Sequence, residues 1–468
     1  MIDERTRIFD LRHMMHPRSV AIIGASNTRG KVGHIILQNY LDAGFDGKLY
    51  PVNIKGDKQI LGIKAYKSVL GIKANIDLAV IAIPAEGVPM AMEQCGKAGV
   101  KSTIVVSGGF SEVGATDLQD RLAAIAKKYN MPTLGPNCLG VMDPRSRSDT
   151  LFLPSFKLDK PRIGGVSFAA QSGAVGSTVL DLISNEGFGL ARFISYGNAA
   201  VVDEVDILHY LANDKDTKVI VFYIEGVKRG REFIEMVKRT TRVKPVIVIK
   251  GGTTPAGATA AHSHTAALAG SNEAYSAVFR QFGVVQADDI SDVLHYAKVL
   301  DTQPATTGNR VAIITNGGGT GVLATDALYR NGLVLPELSK ESKETLKRMM
   351  PSTVNITLPL DLVGDADDKR FSDALGVVSA DPNVDALMVI ALFQTPGADS
   401  RVAETLIHYG TQSPKPLVVV SIGGSYTLAH KNMIESSGVP VYDSPGSAAS
   451  SLAALIRYGQ YRHRVGTL

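Results

Sequence analysis

The sequence predicts an α/β protein of three doubly wound domains. Three times the chain restarts with a short apolar strand that runs into a glycine-containing turn and then a helix-like segment: SVAIIGASNTRGKVG from Ser19, RIGGVSFAAQSGAVG from Arg162, and RVAIITNGGGTGV from Arg310. After each opening, β-rich segments alternate with segments of helical apolar spacing, the pattern of parallel sheets covered by helices. A chain of 468 residues is also too long for one hydrophobic core and fits two to four domains.

In the first unit the predicted strands are Val20 to Ile23, Lys48 to Val52, Leu78 to Ile83, Thr103 to Val106 and Met131 to Leu134, with helical spacing over Gly33 to Ala43 and Asp117 to Lys128. Residues 142 to 162 are rich in turn formers without a sustained period and read as a linker. The second unit has strands near 163–168, 191–196, 218–224 and 245–250, and helices near 174–186, 203–213 and 231–239. It closes with Ile290 to Leu300, and Asp301 to Asn309 forms a second linker. In the third unit VAIIT, ALMVIALF and PLVVVSI are separated by helical stretches, and SAASSLAALIRYG reads as a last covering helix.

Composition narrows the function classes. With 45% apolar and 20% charged residues and no long apolar span, the chain reads as an ordinary soluble protein and not a membrane-spanning one. The N-terminus lacks the continuous apolar stretch of a secretory signal, so a cytoplasmic location is expected. The 49 basic and 45 acidic residues leave a net charge of +4, too balanced for a nucleic-acid binder, although a local patch suffices for a small polyanion. Cys95 and Cys138 lie far apart without CxxC spacing, which suggests buried, reduced thiols and neither a zinc site nor a disulfide framework.

The glycine turns fall where strands hand over to helices. In GASNTRGKVGH, backbone N–H groups and a helix N-terminus can face a phosphate, but Gly24, Gly30 and Gly33 do not match GxGxxG. The second strand ends in YPVNIKG, where an NAD binder usually carries a carboxylate. Asn53 and Lys55 stand there instead, with Lys31 in the loop, and this cationic rim favours a ligand with an extra phosphate, coenzyme A or NADP. The competing reading is that these glycines only permit tight strand-to-helix packing. SGGFSE, with Gly109 and Glu112, and LGPNCLG, with Asn137, follow the fourth and fifth strands at the same sheet edge. Glu112 also reads as an ordinary first-turn helix acid, the commoner case, and Asn137 as a residue that ties down the turn. In AAQSGAVG, Ser172 and Gly173 suit an anion at the helix start, or Ser172 is a plain N-cap.

AAHSHTAALAG, residues 260–270, holds His262 and His264 in a small-residue loop. A metal pair is the weaker reading, because no carboxylate or cysteine nearby completes a coordination set; no metal is expected. A mobile loop with an unhindered imidazole suits a covalent carrier, and plain surface histidines remain the alternative. Glu225, at a strand end, can accept a proton from an imidazole nitrogen and fix its tautomer, or pair with Lys228 or Arg229.

VAIIGASN with GKVG, YPVN, SGGFSE, LGPNCLG, AAQSGAVG, SYGNAAVVDEVD, YIEG and above all KGGTTPAGATAAHSHTAALAG together resemble the α subunit of ADP-forming (NDP-forming) acetyl-CoA synthetases, relatives of succinyl-CoA synthetase. The resemblance runs through nearly the whole chain in order, including NGGGTGVLATDAL in the third unit. It implies a Rossmann-like CoA-binding domain over 1–145, a flavodoxin-like phosphohistidine domain over 160–301, and a C-terminal flavodoxin-like domain over 308–468. His264 within Ser263-His264-Thr265 matches the family's phosphohistidine, Glu225 the acid that steadies it, and Ser172 and Gly173 the helix start that holds its phosphate. The expected CoA-binding residues are Gly24, Ser26, Asn27, Lys31, Val52, Asn53, Lys55, Ile83 and Pro84; Gly109, Glu112 and Asn137 are expected at the acyl and phosphate site. Three positions depart from the family pattern: Ala266 replaces the glycine after SHT, Ile54 ends PVNI in place of PVNP, and LPLD at Leu358 to Asp361 replaces an asparagine-proline-aspartate pattern.

No ATP-grasp domain is visible in the sequence, so the resemblance implies a separate ATP-grasp β subunit carrying ADP or ATP and magnesium, in an α2β2 heterotetramer. The implied reaction converts acyl-CoA (acetyl-CoA), ADP and phosphate to carboxylic acid, CoA and ATP; nucleic acid and membrane are not expected partners. Rival readings are a succinyl-CoA synthetase-like ligase, whose α subunit usually lacks a third domain, and a non-catalytic CoA-binding regulatory protein. An NADP oxidoreductase would leave two domains unexplained.

Overall fold

The computed structural model describes residues 8–186, 188–257, 259 and 272–468. Its chain divides into two compact units, residues 1–185 with 189–282, and residues 186–188 with 283–468.

The first unit holds two sheets. In the first sheet β1 (Ser19–Ile23), β2 (Lys48–Val52), β3 (Leu78–Ile81), β4 (Ser102–Val105) and β5 (Thr133–Leu134) run parallel in the order 2-1-3-4-5. All residues of β1, β3 and β4 are buried, so these strands show no alternation of apolar and charged residues. Ile23 lies level with both Val52 and Ile81, so the loops after three strands open at one edge, where the order reverses around β1. Helices α1 (Val32–Asp42), α2 (Val88–Lys97) and α3 (Thr116–Lys128) form the crossovers.

The second sheet repeats the winding. Strands β8 (Ile163–Ala170), β9 (Leu190–Ser195), β10 (Val219–Ile224) and β11 (Val246–Lys250) are parallel, with β8 between β9 and β10. Helices α4 (Gly173–Asn185), α5 (Glu204–Asn213) and α6 (Gly230–Thr240) connect them, and α7 (Asn272–Gln281) ends the unit. The linker expected at 142–162 is corrected in its first part. β6 (Gly140–Asp143) pairs antiparallel with β9, and β7 (Ser148–Asp149) with β6, extending this sheet. Asp143 secures the extension: it pairs with the fully buried Arg192 of β9 at 3.1 Å, and Asp214 and Asp216 hold the same guanidinium at 3.1 and 2.7 Å.

The second unit contains β12 (Val285–Ala287) and a parallel sheet of β13 (Val311–Thr315), β14 (Leu360–Asp361), β15 (Ala386–Ile390), β16 (Leu417–Val420) and β17 (Val441–Tyr442). With β13 between β14 and β15, the 2-1-3-4-5 winding recurs a third time. Helices α8 (Ile290–Thr302), α9 (Gly318–Arg330), α10 (Lys340–Met349), α11 (Asp368–Ala380), α12 (Ser400–Gln412), α13 (Ser425–Ser436) and α14 (Pro445–Arg464) cover it. Lys298 of α8, almost fully buried, pairs with Glu186 and Glu435, both at 2.6 Å.

Candidate functional site

The carboxyl ends of β1 to β4 enclose a cleft of about 1130 Å³. All nine expected cofactor residues line it: Gly24, Ser26, Asn27, Lys31, Val52, Asn53, Lys55, Ile83 and Pro84. Lys67, which the sequence reading missed, adds a third cation to Lys31 and Lys55, with Asp57 also on the wall. Gly24 has φ +97°, and a Cβ there would run into the Ala82 carbonyl; Gly33 in the first turn of α1 presses on the Gly24 carbonyl in the same way. The glycines thus serve close packing and leave the loop backbone lining the cleft. Asn53 braces that loop, its amide donating to the Ala25 carbonyl at 2.8 Å and its Oδ1 accepting from Lys55 N–H at 2.7 Å. Asn27 ties down the neighbouring hairpin, donating to the Gln59 carbonyl at 3.0 Å and accepting from Leu61 N–H at 3.1 Å.

A second cavity, of about 370 Å³, lies beside the first and shares Val106 and Phe152 with it. Asn137, Gln171, Ser172, Gly173 and Asn198 are among its lining residues. Ser172 caps α4, accepting from Val175 N–H at 3.3 Å, so its N-cap reading and its position on the cavity wall coexist. Glu112 is tied to the Gly109 and Phe110 N–H groups at 2.6 and 3.2 Å and to the Asn198 amide at 2.5 Å. Burial raises its pKa, but these donors outweigh that and hold the carboxyl below the ordinary glutamate value. Asn198 also accepts from the Asn137 amide at 3.3 Å. It therefore joins the loop after β9 to two loops of the first sheet. Within SYGNAAVVDEVD nothing local gives Asn198 a role; its place directly after a strand-end glycine is the one signal that marks it.

Gln171 organises the floor. Its Oε1 accepts from the N–H groups of Glu225 and Gly226, while its amide donates to the Gly226 carbonyl at 3.2 Å and to Glu204 at 3.4 Å. Glu225 is buried, accepts from the Tyr223 hydroxyl at 3.2 Å, and its carbonyl accepts from Lys250 at 2.8 Å. Lys228 donates to the carbonyls of Asn198 and Ala199, both at 2.9 Å, and Arg229 pairs with Asp203 and, at 2.6 Å, Asp206. Glu204, at the start of α5, is fully enclosed, and burial with the neighbouring Asp203 pushes its pKa up to about 8. His262, His264 and Ala266 lie outside the described residues. Among the described residues no cluster of three His, Cys, Asp or Glu side chains could hold a metal, and no helix is long and apolar enough to cross a membrane. Cys95 and Cys138 are buried free thiols, each pushed up to about 12 by burial.

Comparison with known proteins adds to this geometry. Residues 18–144 match a CoA binding domain, 163–300 a succinyl-CoA ligase-like flavodoxin domain, and 311–445 a ligase-CoA domain. The α subunit of acetate–CoA ligase (ADP-forming) I from Pyrococcus furiosus is 40% identical, over 97% of this chain and 98% of its own length. This chain belongs to the ADP-forming acetate–CoA ligase family. A Methanocaldococcus jannaschii member of the family, also 40% identical over 97% of the chain, is longer, and the chain spans 64% of it. The acetyl-coenzyme A synthetase 1 of Ca. Korarchaeum cryptofilum, solved with phosphate and ADP, superposes with a TM-score of 0.91 at 35% identity, covering 98% of each chain. The Rossmann-like and two flavodoxin-like domains are those of this ligase family.

Proposed function

We propose that the chain is the α subunit of an ADP-forming acyl-CoA synthetase acting on acetyl-CoA, with domains over 1–145, 160–301 and 308–468. The observation that carries the reading is the junction of the two cavities at Val106 and Phe152. A CoA ester in the larger cleft, its phosphates among Lys31, Lys55 and Lys67 and the Gly24 to Asn27 backbone, directs its thioester through that junction. Phosphate in the smaller cavity attacks the thioester carbonyl. A C–O bond forms, the C–S bond breaks, and CoA leaves as the thiol with acyl phosphate remaining. Glu112 fixes the Gly109 loop and the Asn198 amide, and Asn137 supplies a polar group at the cavity wall.

An imidazole nitrogen of His264 then attacks phosphorus. The P–O bond to the acyl group breaks, and the carboxylate departs. The start of α4 at Ser172 and Gly173 offers backbone N–H groups and the positive end of the helix dipole to the phosphoryl oxygens. Glu225 holds the proton on the other ring nitrogen and offsets the positive charge that develops there. The phosphoryl group passes to ADP on a separate ATP-grasp β subunit, which supplies magnesium, within an α2β2 assembly in the cytoplasm.

The test is reconstitution. Mixed with an ATP-grasp β subunit, the chain makes ATP from ADP only when acetyl-CoA and phosphate are both present, and His264→Ala abolishes it. CoA binding without any ATP formation would instead favour the regulatory reading.

A further inference from the structure

Phe152 occupies a position the reaction scheme leaves unassigned. It follows the strand pair β6–β7 and lines both cavities. Its backbone is clamped on either side: the buried Asn39 of α1 donates to the carbonyls of Leu151 at 2.7 Å and Leu153 at 3.0 Å. Leu151 itself is fully buried, and Ser155 donates to Asp42 at the end of the same helix at 2.9 Å. With the backbone on both sides held this way, Phe152 stands with Val106 on the wall shared by the two cavities, where a thioester must pass.

The chamber beyond is small. Val106, Cys138, Leu139 and Phe152 give it an apolar side, the polar residues on its wall are neutral, and among the described residues no lysine or arginine lines it.

We propose that Phe152 is the residue that limits acyl size at this site, its ring turning away CoA esters with aromatic acyl groups. The inference rests on the reaction assigned above. Its test uses the enzyme reconstituted with the β subunit and the kcat/KM values for acetyl-, isobutyryl- and phenylacetyl-CoA. Wild type prefers acetyl-CoA over the aryl ester. Phe152→Ala raises the phenylacetyl-to-acetyl ratio at least about 10-fold, the scale on which pocket shape discriminates apolar groups. Phe152→Leu gives a smaller rise. A ratio unchanged in both variants, or wild-type turnover of phenylacetyl-CoA as fast as acetyl-CoA, overturns the proposal. Phosphoryl labelling of wild-type protein from acetyl-CoA and labelled phosphate separates the two levels: label with an unmoved ratio removes only the role of Phe152, and no label with any ester removes the reaction as well.

Discussion

Gly24 and Gly30 stand in the same loop with positive φ, yet they carry different loads. A Cβ on Gly24 meets the Ala82 carbonyl, whereas one on Gly30 meets nothing within 4 Å. Gly24→Ala should therefore disrupt the loop and weaken CoA binding at least about tenfold by titration calorimetry, while Gly30→Ala bears only the left-handed backbone strain of about 1–2 kcal/mol. Nothing in the spacing GASNTRG separates the two, because the obstacle lies just after β3, far along the chain. Glu204 was equally hidden, since an acid after Asp203 reads as an ordinary first-turn residue. Its folded-state pKa of about 8 lies above the reference value of 4.5, so the folded protein keeps a proton that the unfolded chain releases between those values. Its contribution to stability thus falls as pH rises from 4.5 towards 8. Glu204→Gln, which cannot ionise beside Asp203, Lys228 and Arg229, should gain stability relative to wild type across that window in denaturant titrations at several pH values. A difference that does not vary with pH would contradict this.

At the scale of elements, most strands of the parallel sheets were legible because they are short apolar runs ending in glycine or a turn, whereas the two- and three-residue strands β12, β14 and β17 are too short to show a pattern. The strand pair β6–β7 was not. All four residues of β6 are buried, so GVMD shows no alternation, and the turn formers of PRSR dominate the local pattern. What makes a strand there is the distant Arg192, whose fully buried guanidinium pairs with Asp143 of β6. Arg192→Met leaves Asp143 and Asp214 buried without their cation and should cost about 3–5 kcal/mol of stability, read as a lowered denaturation midpoint. The loop after β9 was named in sequence but not assigned, because the meaning of Asn198 depends on Glu112 and Asn137 arriving from the other sheet. Asn198→Ala frees Glu112 from its shortest donor and should lower kcat about 10- to 100-fold with a smaller change in KM for CoA esters. A rise in KM alone would mean that Asn198 serves binding only.

Across the whole molecule one winding is used three times, and each copy opens its loops at the carboxyl edge of its central strand. That recurrence was visible in the three strand–glycine–helix openings. The distribution of chemistry among the copies was not, since it depends on which loops share a cavity. The first sheet contributes the cationic cleft, and the second the start of α4 and Gln171, which lines the smaller cavity and fixes the Glu225 backbone. In the third, the NGGG turn is fixed by Asn316, which accepts from Leu392 N–H at 2.9 Å and donates to Thr395 at 3.0 Å. The division of labour proposed here makes His264 the carrier between thioester chemistry and nucleotide. The decisive measurement is mass spectrometry and phosphorus NMR of the isolated chain after incubation with acetyl-CoA and phosphate. The account predicts one acid-labile, base-stable phosphoryl group on His264, absent from His264→Ala and retained in His262→Ala. A phosphoryl group that persists in His264→Ala, or none in wild type with acetyl-CoA bound, would contradict it.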